Sequence, residues 1–365
     1  MAALQPTPLQ PTRRALLTLC YAALCVPLMG HAANYFDAYG LTPDSPTIDL
    51  GVQPLGYPSG VISAVMRHDR ILQKALATAH LPLKTHAFQR GADMVGLLGE
   101  HRLEAGLLGD VPTLLSAAVG QVWIVGLVKQ TSTAIVAKGA AQVSNLAGKR
   151  IGYVEVSSAH HTLLQGLASA GLDEKQVTMV QLRIDEMPEA LERGDIDAFA
   201  AWEPAPSVAL ARNAANRIVF RGLSSDYFVI ERAFAKRAPE AALHLVAGFL
   251  RAIEWMQRSQ RNVEKAATWT LADGLAFSGK VAAVTAGQIV AITRREILDI
   301  PSAPAIPMGP NNIPLKTEFQ FLEKLGKLPA GARWEKVEAA FGYDGLARVL
   351  GDPRKYLIAT FDYED

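Results

Sequence analysis

From Thr47 onward the chain alternates between short β-branched or alternating apolar runs and longer runs of helical pattern. TIDLGVQP (Thr47–Pro54), LKTHAF, EAGLLG and VWIVGLVK read as strands. One long helix, VISAVMRHDRILQKALATA, and two shorter ones, ADMVGLLGEHR and PTLLSAAVG, are expected between them, with Asp110 in a turn. Strands alternating with helices of about ten residues or more require helices packed on a mostly parallel sheet, an α/β architecture. At Thr131–Thr133 the pattern restarts with STAIVAK, RIGYVEV, VTMVQLR, DAFAAW and RIVF as strands. Between them, SNLAG is a short helical turn, and SAHHTLLQGLASAG (Gly171 as its C-cap), DEMPEALERG and EPAPSVALARNA are helices. YFVIER is a further strand, and from Phe234 the pattern is almost entirely helical.

The terminal helices have no sheet of their own, so they are expected to cover the first α/β unit. Residues 33–131 and 228–365 then form one lobe, and residues 132–227 an inserted second lobe. Crossings near Thr131 and Tyr227 make a hinge, and a cleft between two such lobes is a usual place for a small ligand.

The N-terminus reads as an export segment. Arg13 and Arg14 precede ALLTLCYAALCVPLM, an apolar run of roughly 15 residues, short of the ~20 of a membrane span. Gly30-His31-Ala32 offers the small residues of a cleavage site after Ala32. TRRALL also resembles a twin-arginine signal, with the general secretory route preferred. Cys20 and Cys25 are the two cysteines of the chain, and leucine rather than a small residue precedes each, which argues against lipidation. The mature chain of 333 residues therefore has no disulfide, thiolate metal site or cysteine nucleophile. Without Arg13 and Arg14 it keeps 34 basic against 35 acidic side chains, and no Lys/Arg-rich run suggests a nucleic-acid partner.

VEVSSAHHTLL (Val154–Leu164) concentrates polar chemistry at a strand-to-helix junction. As metal ligands, His160 and His161 diverge by roughly 100° on a helix. The remaining histidines of the mature chain (His68, His80, His86, His101, His244) show no ligand spacing, so no metal is expected. A serine nucleophile lacks the GxSxG elbow. An anion site needs only Ser157 or Ser158 as cap, the unpaired first N–H groups and an imidazole N–H. The bland alternative is a plain helix cap with exposed histidines.

Other junctions carry small or polar groups: Gln53 to Gly56, Gly109-Asp110 to Thr113, Thr131 with Ser132 and Thr133, and Trp202-Glu203. Ligands of open α/β sheets sit beyond the carboxyl ends of the strands, so these junctions are candidates for one cleft. Trp202 would form an apolar wall, and Glu203 either favours its helix start or meets a cationic group.

SNLAGKRIGYVEVSSAHHTLLQGLASAGL, VTMVQL, EALERGDIDAFAAWEP, GLSSDYFVIERAFAKRAPE and LEAGLLGDVPTLL together resemble the aliphatic-sulfonate, taurine and nitrate group of periplasmic substrate-binding proteins of ABC transporters. The resemblance implies the two-lobed type II periplasmic-binding-protein fold. It also implies a ligand held by Ser157, Ser158 and His160 on one lobe and by Gln53, Gly109 and Asp110 on the other. Gly56, Ser132, Thr133, Trp202 and Glu203 complete the candidate set. The implied partners are a small anion, an aliphatic sulfonate first, and an ABC permease; the chain is expected to be a monomer without catalysis or cofactor. A neutral or zwitterionic solute, such as taurine or a pyrimidine vitamin precursor, is the alternative, with Trp202 stacking and Glu203 accepting.

Overall fold

The computed structural model describes residues 34–299, 304–309 and 313–363. The expected export segment and its cleavage after Ala32 lie outside the described residues. Residues 34–38 open a 3-10 turn, and the body treated below begins at Tyr39.

The chain builds β1 (Ile48–Val52), α1 (Ser59–Arg67), α2 (Arg70–Thr78), β2 (Leu83–Ala87), α3 (Ala92–Gly99), β3 (Ala105–Gly109) and α4 (Asp110–Ala118). It continues through β4 (Val122–Lys138), β5 (Arg150–Tyr153), α5 (Ser158–Ser169), β6 (Thr178–Gln181), α6 (Met187–Arg193), β7 (Ala198–Ala201), α7 (Ala205–Arg212) and β8 (Asn216–Glu231). Helices follow: α8 (Arg232–Arg237), α9 (Pro239–Arg258), α10 (Gln260–Ser278), α11 (Ala286–Thr293), α12 (Lys316–Lys324), α13 (Trp334–Ala340) and α14 (Gly345–Gly351).

Two departures from the expected elements have physical causes. The single long helix after Pro58 is two, because the Asp69 carboxylate caps a new start by accepting the Leu72 N–H (3.0 Å). The same carboxylate accepts from Arg251 Nε (2.7 Å) in an ion pair closed to solvent, and Arg251 also donates to the Tyr356 carbonyl (2.7 Å). The other departure is that the strands expected on either side of Thr131, and those before Tyr227, are continuous: β4 and β8 run 17 and 16 residues.

These two strands pair antiparallel along their length, from Val122 opposite Glu231 to Lys138 opposite Asn216. The sheet order is β2-β1-β3-β8-β4-β7-β5-β6. β3 joins β8 at Asp226–Ile230, whereas β7 joins β4 at Ala134–Ala137. The two halves thus hang from opposite edges and opposite ends of one ribbon, and the fold is two-lobed. Within each half the β1–β2, β1–β3, β5–β6 and β5–β7 pairings are parallel.

The terminal helices do cover the first half: Phe249, Trp255, Val263 and Trp269 share a core with Leu50, Val61, Leu107 and Phe228. In the second half side chains alternate by strand period. Phe199 and Ala201 join Val136 and Met187 on one face; Ala198 and Ala200 join Ile135, Leu163 and Leu167 on the α5 face.

Candidate functional site

α5 begins where the apolar strand β5 gives way to Ser157, whose extended backbone and hydroxyl suit an N-cap. Its Oγ accepts the His160 N–H (3.2 Å) and donates to the Val154 carbonyl (2.7 Å). The N–H groups of Ser158 and Ala159, the first of the helix, have no intrahelical acceptor. They concentrate positive potential at the helix mouth.

Facing this mouth is the junction of β3 and α4. Gly109 approaches so closely that a Cβ there would stand 2.6 Å from Ser158 Oγ and 3.6 Å from Asp226 Oδ1. The same tightness recurs at Gly56, where a Cβ would meet Trp202 Nε1 at 2.8 Å. Between these walls lies a cleft of about 410 Å³, lined by Gln53, Gly56, Ser59, Gly109, Lys129, Ser157, Ser158, Trp202, Ser224 and Asp226. Six expected residues therefore converge: Gln53, Gly56, Gly109, Ser157, Ser158 and Trp202.

The other five do not line it. Asp110 is 1% exposed and turned into the protein, accepting from the Val111 N–H (2.7 Å), the Ser225 N–H (3.3 Å) and the Ser158 hydroxyl. Burial pushes its carboxyl up to about 7. Ser132 lies on the ribbon and accepts from Arg221 Nη1 (3.0 Å), and Thr133 bonds Thr162 through its hydroxyl. Glu203 is occupied by Arg295 (2.9 Å) and the Ser207 N–H (3.3 Å), while its carbonyl accepts the Tyr57 N–H (3.0 Å). His160 turns its Nδ1 toward the Val156 N–H (3.3 Å), where the backbone is left-handed (φ 53°), a costly state for a β-branched residue. The imidazole thus props the loop before the cap.

Four lining groups that the strand and helix patterns conceal, Lys129, Asp226, Ser59 and Ser224, carry a charge or a hydroxyl. Lys129, 1% exposed, places Nζ 3.8 Å from Asp226 Oδ1. Burial opposes its charge, but Asp226, Glu296, Asp110 and Glu203 outweigh it and hold the ammonium above its usual range. Ser59 donates to the other Asp226 oxygen (2.5 Å). Ser224 Oγ is buried and unbonded within the protein. Lys129 and Asp226 are cross-strand neighbours on the ribbon, so a lone lysine in an apolar strand opposite an aspartate was the available signal.

The site therefore offers helix-end N–H groups, hydroxyls, one ammonium and one carboxylate beside an indole. No group of three or more histidine, cysteine or acidic side chains among the described residues could hold a metal ion.

Residues 116–272 match the model of the NMT1-like family. The chain is 26% identical over 257 residues to the taurine-binding periplasmic protein of Escherichia coli (strain K12), covering 67% of this chain and 78% of that one. It is also 26% identical over 218 residues to an aliphatic sulfonates-binding protein of the same strain, covering 57% and 67%. Among solved structures it resembles the alkanesulfonate-binding protein SsuA from Xanthomonas axonopodis pv. citri bound to MOPS. That match has a TM-score of 0.62 and 21% identity, covering 81% of this chain and 98% of that one. The desulfurization enzyme DSZB shares the fold at a TM-score of 0.55 and 14% identity, covering 84% and 99%, so the scaffold also occurs in an enzyme. The chain thus has the two-lobed fold of the SsuA-type binding proteins, and in sequence it resembles the taurine and aliphatic-sulfonate group.

Proposed function

We propose that this protein is an exported solute-binding protein that captures a small sulfonate between its lobes and delivers it to an ABC permease. The observation that carries the reading is the convergence of the α5 mouth, Ser157, Ser158 and Lys129 on one tight cleft. A sulfonate has three oxygens to accept from the first N–H groups of α5, the Lys129 ammonium and the Ser224 hydroxyl, and charge assistance strengthens these bonds. Trp202 supplies an apolar wall for a short organic tail.

The lobes of this reading are residues 33–131 with 228–365, and residues 132–227, turning about the β4–β8 ribbon. The cleft contacts come from both lobes, so ligand binds the closed form better and shifts the population toward it. Asp226 favours a second reading within the same class, an aminosulfonate whose ammonium meets that carboxylate. Binding without turnover is proposed, since the residues lining the cleft include no cysteine or histidine. A monomer exported by the general secretory route, with cleavage after Ala32, completes the proposal.

The test is thermal unfolding of residues 33–365 with ethanesulfonate, taurine, sulfate, nitrate or a pyrimidine vitamin precursor. A ligand at about 100 times its Kd adds roughly 2.7 kcal/mol, a rise of a few degrees at this size. Ethanesulfonate or taurine is expected to raise Tm, with taurine ahead where Asp226 meets the amine. A rise with the pyrimidine alone contradicts the sulfonate reading.

A further inference from the structure

The two adjacent histidines of α5 are left without work by the cleft. His160 and His161 instead line a second cavity of about 630 Å³ with Val111 and Leu115 of α4, Leu322 of α12, and Lys327 just beyond it. They are 6% and 2% exposed. His161 packs its ring on Phe321 of α12 (4.7 Å between centroids), and both of its nitrogens are buried without a partner. His160 accepts at Nδ1 from Val156, which places its proton on Nε2, and that nitrogen too is buried and unpartnered. The seam is thus built around three unsatisfied imidazole nitrogens, two of them on one ring.

We propose that His160 and His161 form a proton-gated latch on the closed state, letting α5 seat against α4 and α12 when uncharged and forcing that seam apart when protonated. This rests on the reading of the cleft as one that opens and closes. The side chains that α4 and α12 bring to the seam are apolar, Val111 and Leu115 from the one and Phe321 and Leu322 from the other. The titratable and charged groups around the pair are Lys327 beyond α12, Glu155 before the cap, Tyr153 of β5, whose ring lies 4.8 Å from His160, Asp110 of α4, bonded to Ser158, and Glu318 of α12, one turn before Phe321. Burial pushes His160 down to about 4, with Lys327 and His161 adding to the effect, and burial alone pushes His161 down to about 4. Opening returns both rings to water and to the ordinary value of about 6.5. Closure therefore releases protons between those limits; the closed state has its full stability above about pH 6.5 and loses it as the pH falls toward 4.

Calorimetric titration of ethanesulfonate and taurine at pH 7.5 and pH 5.0 tests this, because neither ligand titrates in that interval. Each imidazole weakens binding at pH 5.0 by about thirtyfold. His160→Asn, which keeps the acceptor for Val156, and His161→Leu each remove one such factor, and the double variant removes both. Asp110 titrates in the same interval with the opposite sign, but it is present in every variant, so the difference between wild type and double variant isolates the imidazoles. Equal Kd ratios in the two proteins overturn the latch. If neither ligand binds at pH 7.5, the sulfonate reading fails separately. Small-angle scattering of the unliganded proteins then decides the latch: expansion on acidification in wild type but not in the double variant supports it, and identical curves overturn it.

Discussion

The two strand-to-helix junctions that face each other across the cleft solve the same problem in opposite ways. At the start of α4 the polar side chain, Asp110, is turned inward, and the wall of the cleft is the bare backbone of Gly109. At the start of α5 the hydroxyls of Ser157 and Ser158 face the cleft, and the side chains that follow are packed behind it. One junction supplies closeness and a fixed scaffold, the other supplies donors. The contact between them, the Ser158 hydroxyl donating to Asp110, joins the two lobes.

The largest effect is expected from breaking the closeness. Gly109→Val puts methyl groups where a Cβ alone would stand 2.6 Å from Ser158 Oγ. Overpacking of this kind costs about 1–3 kcal/mol, up to roughly a hundredfold in Kd. In the proposed closing motion the clash arises only as the lobes meet, so the expected result is an unliganded Tm near the wild-type value with the loss seen in titration. A comparable fall in unliganded Tm would mean that Gly109 serves the fold rather than closure.

A smaller effect on affinity, but a clear one on pH dependence, is expected from Asp110→Asn. The folded protein favours the neutral carboxyl, so wild-type stability falls as the pH rises from 3.8 through about 7. The variant is neutral throughout and should lose that slope, gaining on wild type from pH 5 to pH 8 in denaturant titrations. Parallel curves for the two proteins would contradict the inward role given to Asp110.

The sequence made the architecture legible wherever hydrophobic period was clean. Strand period 2 and the helical runs locate most elements, and the restart at Thr131 marks the place where the ribbon leaves β8 and β4 without outer partners. What it concealed was continuity: a restart in pattern is not a break in the chain, and β4 passes straight through it. In the site, residues at strand ends and helix caps were readable because turn chemistry is local. His160 was not, since two residues past Ser158 on a helix is a rotation of roughly 200°, which turns a side chain away from the face its neighbour serves. Lys129 and Asp226 were missed because they sit within β4 and β8, and Ser59 because it opens α1 beyond the junction read at Gln53 to Gly56; only long-range pairing brings the three to the cleft. Glu203 was read by its position beside Trp202, but its carboxylate is already held by Arg295 from a π-helical segment 92 residues away.

The central claim is that the mouth of α5 holds the anionic head of a sulfonate. A crystal structure of the mature protein grown with taurine or ethanesulfonate tests it most directly. The account predicts sulfonate oxygens within about 3.2 Å of the Ser158 or Ala159 N–H and of Lys129 Nζ or the Ser224 hydroxyl, with the tail against Trp202. A sulfonate bound elsewhere, with the α5 mouth closed against protein or water alone, would contradict it.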